Sequence, residues 1–499
     1  MRQAASVYGR RRQISMNPMK PQTQPRLVIA GLAGDSGKTI VSLSLIAALR
    51  RKGITTTAFK KGPDFIDSAW LTQVSGNVAR NLDVHLMGAD TVCQNFMRHA
   101  APDGISVIEG NRGLYDGMET GDNSTAELAK LLKAPVVLVC RPHKTTRTLA
   151  AQILGCQHFD ESTPLAGIIL NGVAGKRQEA VLRRAIAENC GLPVLGVIPK
   201  LQDTATLPDR HLGLVPPQEM PDHDEHWVTL AEIGEKYLEL DQLQQLAQQT
   251  ELLPDVPLTG HNPEKPATVR IGYFSDSAFT FYYPENLEAL SRAGAELVGI
   301  SAQTDTALPE IDALYIGGGF PETHAVSLER NTAMRLAIRG AATAGLPIYA
   351  ECGGLIYLAE SLKWQGHTYH MTGVFPIDIE MHTTPQGHGY SEFTVDRGNP
   401  FFPIGTTCRG HEFHYSSIVS GTKEPQTVCT VSRGSGSIVH RDGLVFKNVL
   451  ASYTHLHACG TPAFATGLVG AAVKYRAEQQ NAFPNMWNSA CTGSRATVM

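Results

Sequence analysis

The stretch from Leu27 to Leu49, LVIAGLAGDSGKTIVSLSLIAAL, constrains the fold more than any other part of the chain. It begins with a short apolar run, Leu27 to Ala30, the pattern of a strand buried in a parallel sheet. A glycine-punctuated loop follows, Gly31 to Lys38. Thr39 then opens an apolar segment that meets no Gly or Pro until Gly53, enough for about three helical turns. Strand, glycine loop closing in Lys-Thr, and helix together make a phosphate-binding loop. Gly34 and Gly37 let backbone N–H groups and the helix N-terminus form an anion cradle for ATP. Lys38 reaches the outer phosphates, and the Thr39 hydroxyl ligates magnesium. The spacing departs from G-x-x-x-x-G-K-[ST]: Gly31 lies one residue too far from Gly37, and Leu32 occupies the expected glycine.

Two acid-bearing loops accompany this cradle. The β-rich run Thr55 to Phe59 leads into Lys60-Lys61-Gly62-Pro63-Asp64-Phe65-Ile66-Asp67. Gly-Pro ends the strand, leaving carboxylates and lysines at its C-terminal end, where open α/β sheets bind ligands. A further strand, Ile105 to Ile108, ends in Glu109, with Asp116 in the glycine-rich loop beyond. A strand ending in an acid supplies a second magnesium-site carboxylate in phosphate-loop enzymes. Strands at 135–139, 165–170 and 193–198 alternate with helical segments at about 123–133, 144–155 and 176–190, predicting a doubly wound parallel sheet. A Gln- and Leu-rich helical stretch covers about 227–248. The four prolines of 251–268 mark a linker.

The second half opens a new α/β unit at Val269. Strands are predicted at 269–273, 295–299, 313–316 and 346–350, with a short helix from Asn286 to Ala293. Gly317-Gly318-Gly319 after a strand brings backbone N–H groups close to a ligand. Gly318 and Gly319 are candidates for an oxyanion hole, with a plain tight turn as the alternative. Glu351-Cys352-Gly353-Gly354 then joins a strand to an apolar helical segment, Leu355 to Leu362. A cysteine at such a turn is a nucleophile elbow, and the helix N-terminus favours its thiolate. A thiol nucleophile needs a base, and among 18 histidines the best placed are His455 and His457 in the run Leu450 to His457. His411, Glu412, His414 and Tyr415 form a second polar cluster, suited to substrate contact or structure more than to metal.

Composition limits the function classes. Net charge is -4 with no long basic run outside the N-terminus, so nucleic-acid binding is not expected. Nine scattered cysteines without a C-x-x-C pair argue against a zinc site or disulfide framework and fit a reducing cytoplasm. No apolar run approaches the roughly 18 residues that span a membrane. The first 25 residues are Arg-rich and acid-free. They read as a disordered tail, a start upstream of Met16 or Met19, or an organelle transit peptide.

A phosphate-loop domain followed by a Cys–His domain has a chemical logic: one activates a carboxylate, and the other releases ammonia from glutamine. The loop spacing resembles that of dethiobiotin synthetase. The motifs AGLAGDSGKT (30–39), FKKGPDFID (59–67), VIEGNRGLYDGM (107–118), LPDRHLGLVP (207–216), YIGGGFPE (315–322), AECGGLIYL (350–358), GHGYSEF (387–393), RGHEFHYS (409–416) and SYTHLH (452–457) resemble the cobyrinate a,c-diamide synthase family over about 26–475. The resemblance implies a tail (1–25), a dethiobiotin-synthetase-like ATP domain (26–250), a linker (251–268), a class I glutamine amidotransferase domain (269–475) and a C-terminal tail (476–499), both domains doubly wound α/β. It implies a ligase that uses ATP, Mg2+ and glutamine to amidate the a and c acetates of the tetrapyrrole macrocycle cobyrinate in cobalamin biosynthesis.

Carried over by position, Lys38 and Thr39 hold phosphate and magnesium, and Glu109 is the metal-site acid. Lys60, Asp64, Phe65, Ile66, Asp67 and Asp116 serve the substrate side chains. Asn171 is similar to the asparagine that reads adenine, Cys352 to the nucleophile and His455 to its base. The chain departs at two positions. His457 stands where most class I amidotransferases carry an orienting glutamate, and Phe65 where an aromatic with a hydroxyl is common. A homodimer is compatible with the sequence. Hydrogenobyrinate and Ni-sirohydrochlorin diamide synthases are near rivals, and cobyric acid synthase a more distant one. A switch-type ATPase with a ligand-sensing domain lacks support, because the loop has no second signature lysine.

Overall fold

A computed structural model describes residues 24–119, 121–201, 209–210, 213–220, 224–253, 266–421 and 425–482. The N-terminal tail, most of the linker, part of the LPDRHLGLVP motif and the chain beyond 482 lie outside the described residues.

The apolar run after Pro25 forms the strand Arg26–Gly31, buried along its whole length. It sits at the centre of a seven-stranded parallel sheet. The strand order is Arg80–Leu82, Thr56–Lys61, Ile105–Gly113, Arg26–Gly31, Val136–Cys140, Leu165–Val173, Val194–Pro199. Connections leave the central strand toward both edges, so the phosphate loop emerges at the switch point, where a crevice opens. Helix Lys38–Arg51 covers one face with Val41, Leu45, Ile46 and Leu49. Helix Asp224–Tyr237 packs on it closely because Gly234 has no side chain; a Cβ there would stand 2.3 Å from the Ser44 carbonyl oxygen. The opposite face holds a second apolar layer that includes Phe96, Leu128 and Ile153. The expected loop 60–67 is only half a loop. Asp64 accepts from the Asp67 N–H at 2.9 Å and caps the helix Phe65–Ser75.

The second half is an α/β unit whose sheet is parallel in its first five strands and antiparallel beyond them. Five parallel strands, Ala295–Ile300, Val269–Phe274, Ala313–Ile316, Ile348–Glu351 and Val449–Ser452, carry the predicted α/β unit. The sheet then continues antiparallel through Arg441–Phe446, Thr427–Arg433, Gly387–Val395, Thr407–His414 and His455–Leu456. These strands are joined by short connections that need no covering helix, so they lack the strand–helix rhythm. A four-stranded side sheet spans His367–His370, Ser361–Trp364, Ile377–Met381 and Ser416–Gly421. The last helix, Ala463–Ala482, runs beyond residue 475. Among the described residues no helix is long and apolar enough to cross a membrane.

The two units meet at the C-terminal ends of the first sheet's strands. Arg80 lies 2.5 Å from Glu288 and 3.2 Å from Glu285, both on helix Pro284–Arg292. Asn95 donates to Glu285 at 2.9 Å. The Tyr390 hydroxyl donates to the buried Asp83 carboxylate at 2.6 Å.

Candidate active site

The phosphate loop takes its shape from two left-handed residues, Asp35 at φ 53° and Gly37 at φ 87°. Gly37 admits no side chain, since a Cβ would stand 2.0 Å from Asn171 Nδ2. That amide donates to the Ser36 carbonyl at 3.0 Å, so Asn171 buttresses the loop from the strand Leu165–Val173, two strands away in the sheet. Gly34 is exposed, and a Cβ there would meet nothing within 4 Å. Lys38 is buried, with Nζ 2.7 Å from the Arg112 carbonyl. Burial, and then the neighbouring Lys60, lowers its pKa. Asp116 accepts from the Gly113 N–H at 2.8 Å and closes the turn beside this carbonyl.

Thr39, Lys60, Asp67 and Glu109 form one hydrogen-bonded cluster. The Thr39 hydroxyl donates to Glu109 Oε1 at 2.7 Å. Lys60 Nζ donates to Asp67 at 2.5 Å and to Glu109 Oε1 at 2.9 Å, with Asp64 at 3.9 Å. Burial opposes the Lys60 charge, but Asp67 and Glu109 outweigh it and raise its pKa. Burial pushes Glu109 up against the pull of Lys60, whereas Lys60 overcomes burial and holds Asp67 down. Burial and Asp67 push Asp64 up, moderated by water, because 30% of its side chain stays exposed. Magnesium fits the residues present. Beside the Thr39 hydroxyl, Glu109 Oε2 is buried without a hydrogen-bond partner. Among the described residues no three His, Cys, Asp or Glu side chains converge as a cage. Magnesium takes one or two carboxylates and completes its shell with phosphate and water, so the Thr39–Glu109 pair suits it. A cavity of about 510 Å³ lies elsewhere, along the helix Ala325–Arg330, and a larger one of about 1010 Å³ adjoins the phosphate loop, lined by Gly34, Ser36, Tyr115 and Arg141.

The second centre is built on the strand Ile348–Glu351. Cys352 follows at φ 47°, ψ -97°, a strained turn that the Cys352 N–H to Ser452 carbonyl bond of 2.7 Å holds in place. Helix Gly353–Leu358 starts at the next residue. Small residues are required here. A Cβ on Gly353 would lie 3.0 Å from the Gly319 nitrogen, and one on Gly318 would lie 2.5 Å from His455 Cε1 and 3.3 Å from Nε2. Gly353, the residue after Cys352, thus lies against Gly319, and Gly318 lies against the Cε1–Nε2 edge of His455. Burial pushes the Cys352 thiol far up, and Glu322 adds to it; the Gly353 N–H works the other way.

His455 and His457 have different surroundings. His455 stacks on His411 at 4.9 Å between ring centroids, and its Nδ1 lies 3.5 Å from Glu351 Oε2. His457 accepts the Cys459 N–H at Nδ1, which leaves Nε2–H facing Glu285 Oε2 at 3.6 Å. His411 lies 3.2 Å from the Tyr283 hydroxyl. Glu412 accepts from the Ser435 and Gly436 N–H groups, and His414 stacks on Tyr453 at 3.7 Å.

Phe65 is placed differently from its neighbours in the acidic loop. Its ring lies 5.0 Å from Phe281, 4.6 Å from Tyr283, 5.5 Å from His411 and 5.2 Å from His455. Ile66 packs partly buried beside the first helix layer. Phe65 therefore spans from the lysine–carboxylate cluster to the thiol centre. Sequence reasoning missed Arg80, Asp83, Glu285 and Tyr390, which join the halves, and gave Glu351 no role. For Glu351, adjacency to the elbow was the available signal, and for Tyr390 its place in GHGYSEF; Arg80, Asp83 and Glu285 carry none.

Comparison with known proteins gives two family models. One, described as the CobQ/CobB/MinD/ParA nucleotide binding domain, matches residues 27–215. The other, described as the CobB/CobQ-like glutamine amidotransferase domain, matches 270–463. The chain is 41% identical over 456 residues to the cobyrinate a,c-diamide synthase of Magnetococcus marinus, covering 89% of this chain and 96% of that one. It is 38% identical to the protein of that name from Archaeoglobus fulgidus, covering 91% and 99%, and 40% identical to that of Syntrophotalea carbinolica, covering 89% and 98%.

Proposed function

Since this chain belongs to the cobyrinate a,c-diamide synthase family, we propose that it amidates the a and c acetate side chains of cobyrinate with ATP and glutamine, as a carbon–nitrogen ligase of cobalamin biosynthesis. The observation that supports this most directly is Phe65. It follows Asp64 in the acidic loop and packs on His455 of the thiol centre, so the two half-reactions share one enclosed boundary.

In the first domain the loop N–H groups and Lys38 hold the ATP phosphates. Thr39 and Glu109 would hold magnesium, which neutralises phosphate charge during transfer. Asp64, Asp67 and Asp116 face the macrocycle's side chains, and Lys60 draws the acceptor carboxylate toward the phosphates. That carboxylate attacks the γ-phosphorus, ADP leaves, and an acyl phosphate forms. In the second domain His455 takes the thiol proton as Cys352 attacks the amide carbon of glutamine. The N–H groups of Gly318 and Gly319 stabilise the oxyanion. His455 returns the proton to the leaving ammonia, and water clears the thioester. Ammonia then displaces phosphate from the acyl phosphate to give the amide.

Mass spectrometry of products tests the assignment. The chain, with ATP, magnesium and glutamine, is given cobyrinate, hydrogenobyrinate or Ni-sirohydrochlorin. Two amides gained on cobyrinate alone are expected; two gained only on another macrocycle would replace it as substrate.

A further inference from the structure

We propose that Glu351, the residue immediately before the nucleophile, is the positioning carboxylate of the thiol centre and orients His455. The inference rests on reading Cys352 and His455 as a glutamine-hydrolysing pair. Glu351 ends the strand Ile348–Glu351 and is 1% exposed. Its carboxylate is fixed from three sides. Tyr315 donates to Oε2 at 2.9 Å, and Tyr349 and the Leu456 N–H donate to Oε1 at 3.3 and 3.1 Å. The Leu456 bond ties the carboxylate to the residue after His455. Oε2 then stands 3.5 Å from His455 Nδ1, and Nδ1 is buried with no other hydrogen-bond partner.

A buried ring nitrogen facing only a carboxylate carries the proton. Glu351 thus selects the Nδ1–H tautomer and leaves the lone pair on Nε2. The Cε1–Nε2 edge is the one that faces Gly318. When the thiol proton moves to Nε2, the same carboxylate stabilises the imidazolium. A 3.5 Å separation is long for a hydrogen bond, as catalytic contacts often are before substrate binds. The position two residues after the histidine cannot serve, because His457 is turned to Glu285. Titratable groups around this pair include His411, which burial keeps neutral, the phenols of Tyr282, Tyr283, Tyr315 and Tyr349, which burial keeps protonated, and the Cys352 thiol, which burial pushes up. Glu351 is therefore the carboxylate that faces Nδ1 of His455.

The test uses the full chain with Glu351→Gln and Glu351→Asp, comparing glutamine- and ammonia-dependent amidation and the pH profile of glutamine hydrolysis. For E351Q we expect glutamine-dependent kcat to fall at least about 100-fold with KM within a few-fold. Ammonia-dependent synthesis persists, and the acid limb of hydrolysis moves to lower pH, because the imidazolium has lost its anion. E351D recovers part of the rate and returns the limb toward its original position. An E351Q enzyme within about threefold of the parent, with an unmoved limb, overturns the proposal. So does failure of E351D to recover any glutamine turnover if E351Q loses both nitrogen sources. Cys352→Ala separates the two readings: if it too keeps glutamine turnover, the thiol-centre assignment falls instead.

Discussion

Lys60 is the residue on which the first site's charges balance. Buried among Asp64, Asp67 and Glu109, it keeps one carboxylate ionised while burial drives the others toward neutrality. Such a cluster is poised to accept an anionic substrate, because added negative charge meets a fixed ammonium. On the proposed reading Lys38 performs the companion role for phosphate. Lys38→Ala is expected to abolish amide formation with glutamine and with ammonia alike, since activation precedes amination; product assays with both nitrogen sources check this. Removing magnesium by chelation should likewise stop both, with activity restored by added magnesium, and Thr39→Ala should raise the magnesium concentration needed. Cys352 sets the opposite pattern. Its thiol is buried on a strained turn and, on the proposed reading, serves glutamine alone. Cys352→Ala should reduce glutamine-dependent amidation to background and leave ammonia-dependent amidation within a few-fold.

At the level of elements, the proposed chemistry rests on two turns, and both are built from the absence of side chains. In the phosphate loop Gly37 combines φ 87° with Asn171 pressed against it. Gly37→Ala costs about 1–2 kcal/mol from the left-handed backbone alone, and the contact with Asn171 adds to that. A raised KM for ATP and a lowered melting temperature are expected. At the elbow, Gly318→Ala would place a methyl 2.5 Å from His455 Cε1. Glutamine hydrolysis should be lost while ammonia-dependent amidation continues, because the intruding group touches only the second centre. Both turns were legible in the sequence, for the same reason that they are sensitive. A glycine pattern at a strand-to-helix junction is local and has few other uses. The antiparallel strands of 387–446 were not legible, because their polar and aromatic residues alternate without the strand–helix rhythm.

Across the whole molecule, activation and ammonia release face each other through a boundary of aromatic rings and buried charge. Arg80, 7% exposed at its side chain, holds Glu285 of the other unit, itself 2% exposed. Removing one partner of such a pair costs about 3–5 kcal/mol. Arg80→Ala should therefore separate the thermal transitions of the two units in calorimetry. It should also let glutamine hydrolysis exceed amide formation, measured as the ratio of glutamate to product. Arg80 overcomes burial and holds the Glu285 carboxyl well below its usual range. Its contribution is complete above that range and is lost only as pH falls through the lowered native value, so the boundary persists into mild acid. The sequence by itself determined two α/β units, a nucleotide cradle, an acidic loop and a thiol elbow, since each is a short-range pattern with one physical use. Only the tertiary structure decided that Phe65 packs on His455, that His455 and His457 face different carboxylates, and that Glu351 and Arg80 have partners at all. Those pairs lie about 100 to 400 residues apart in the chain, and their meeting depends on strand order and domain packing, which leave no mark on neighbouring residues.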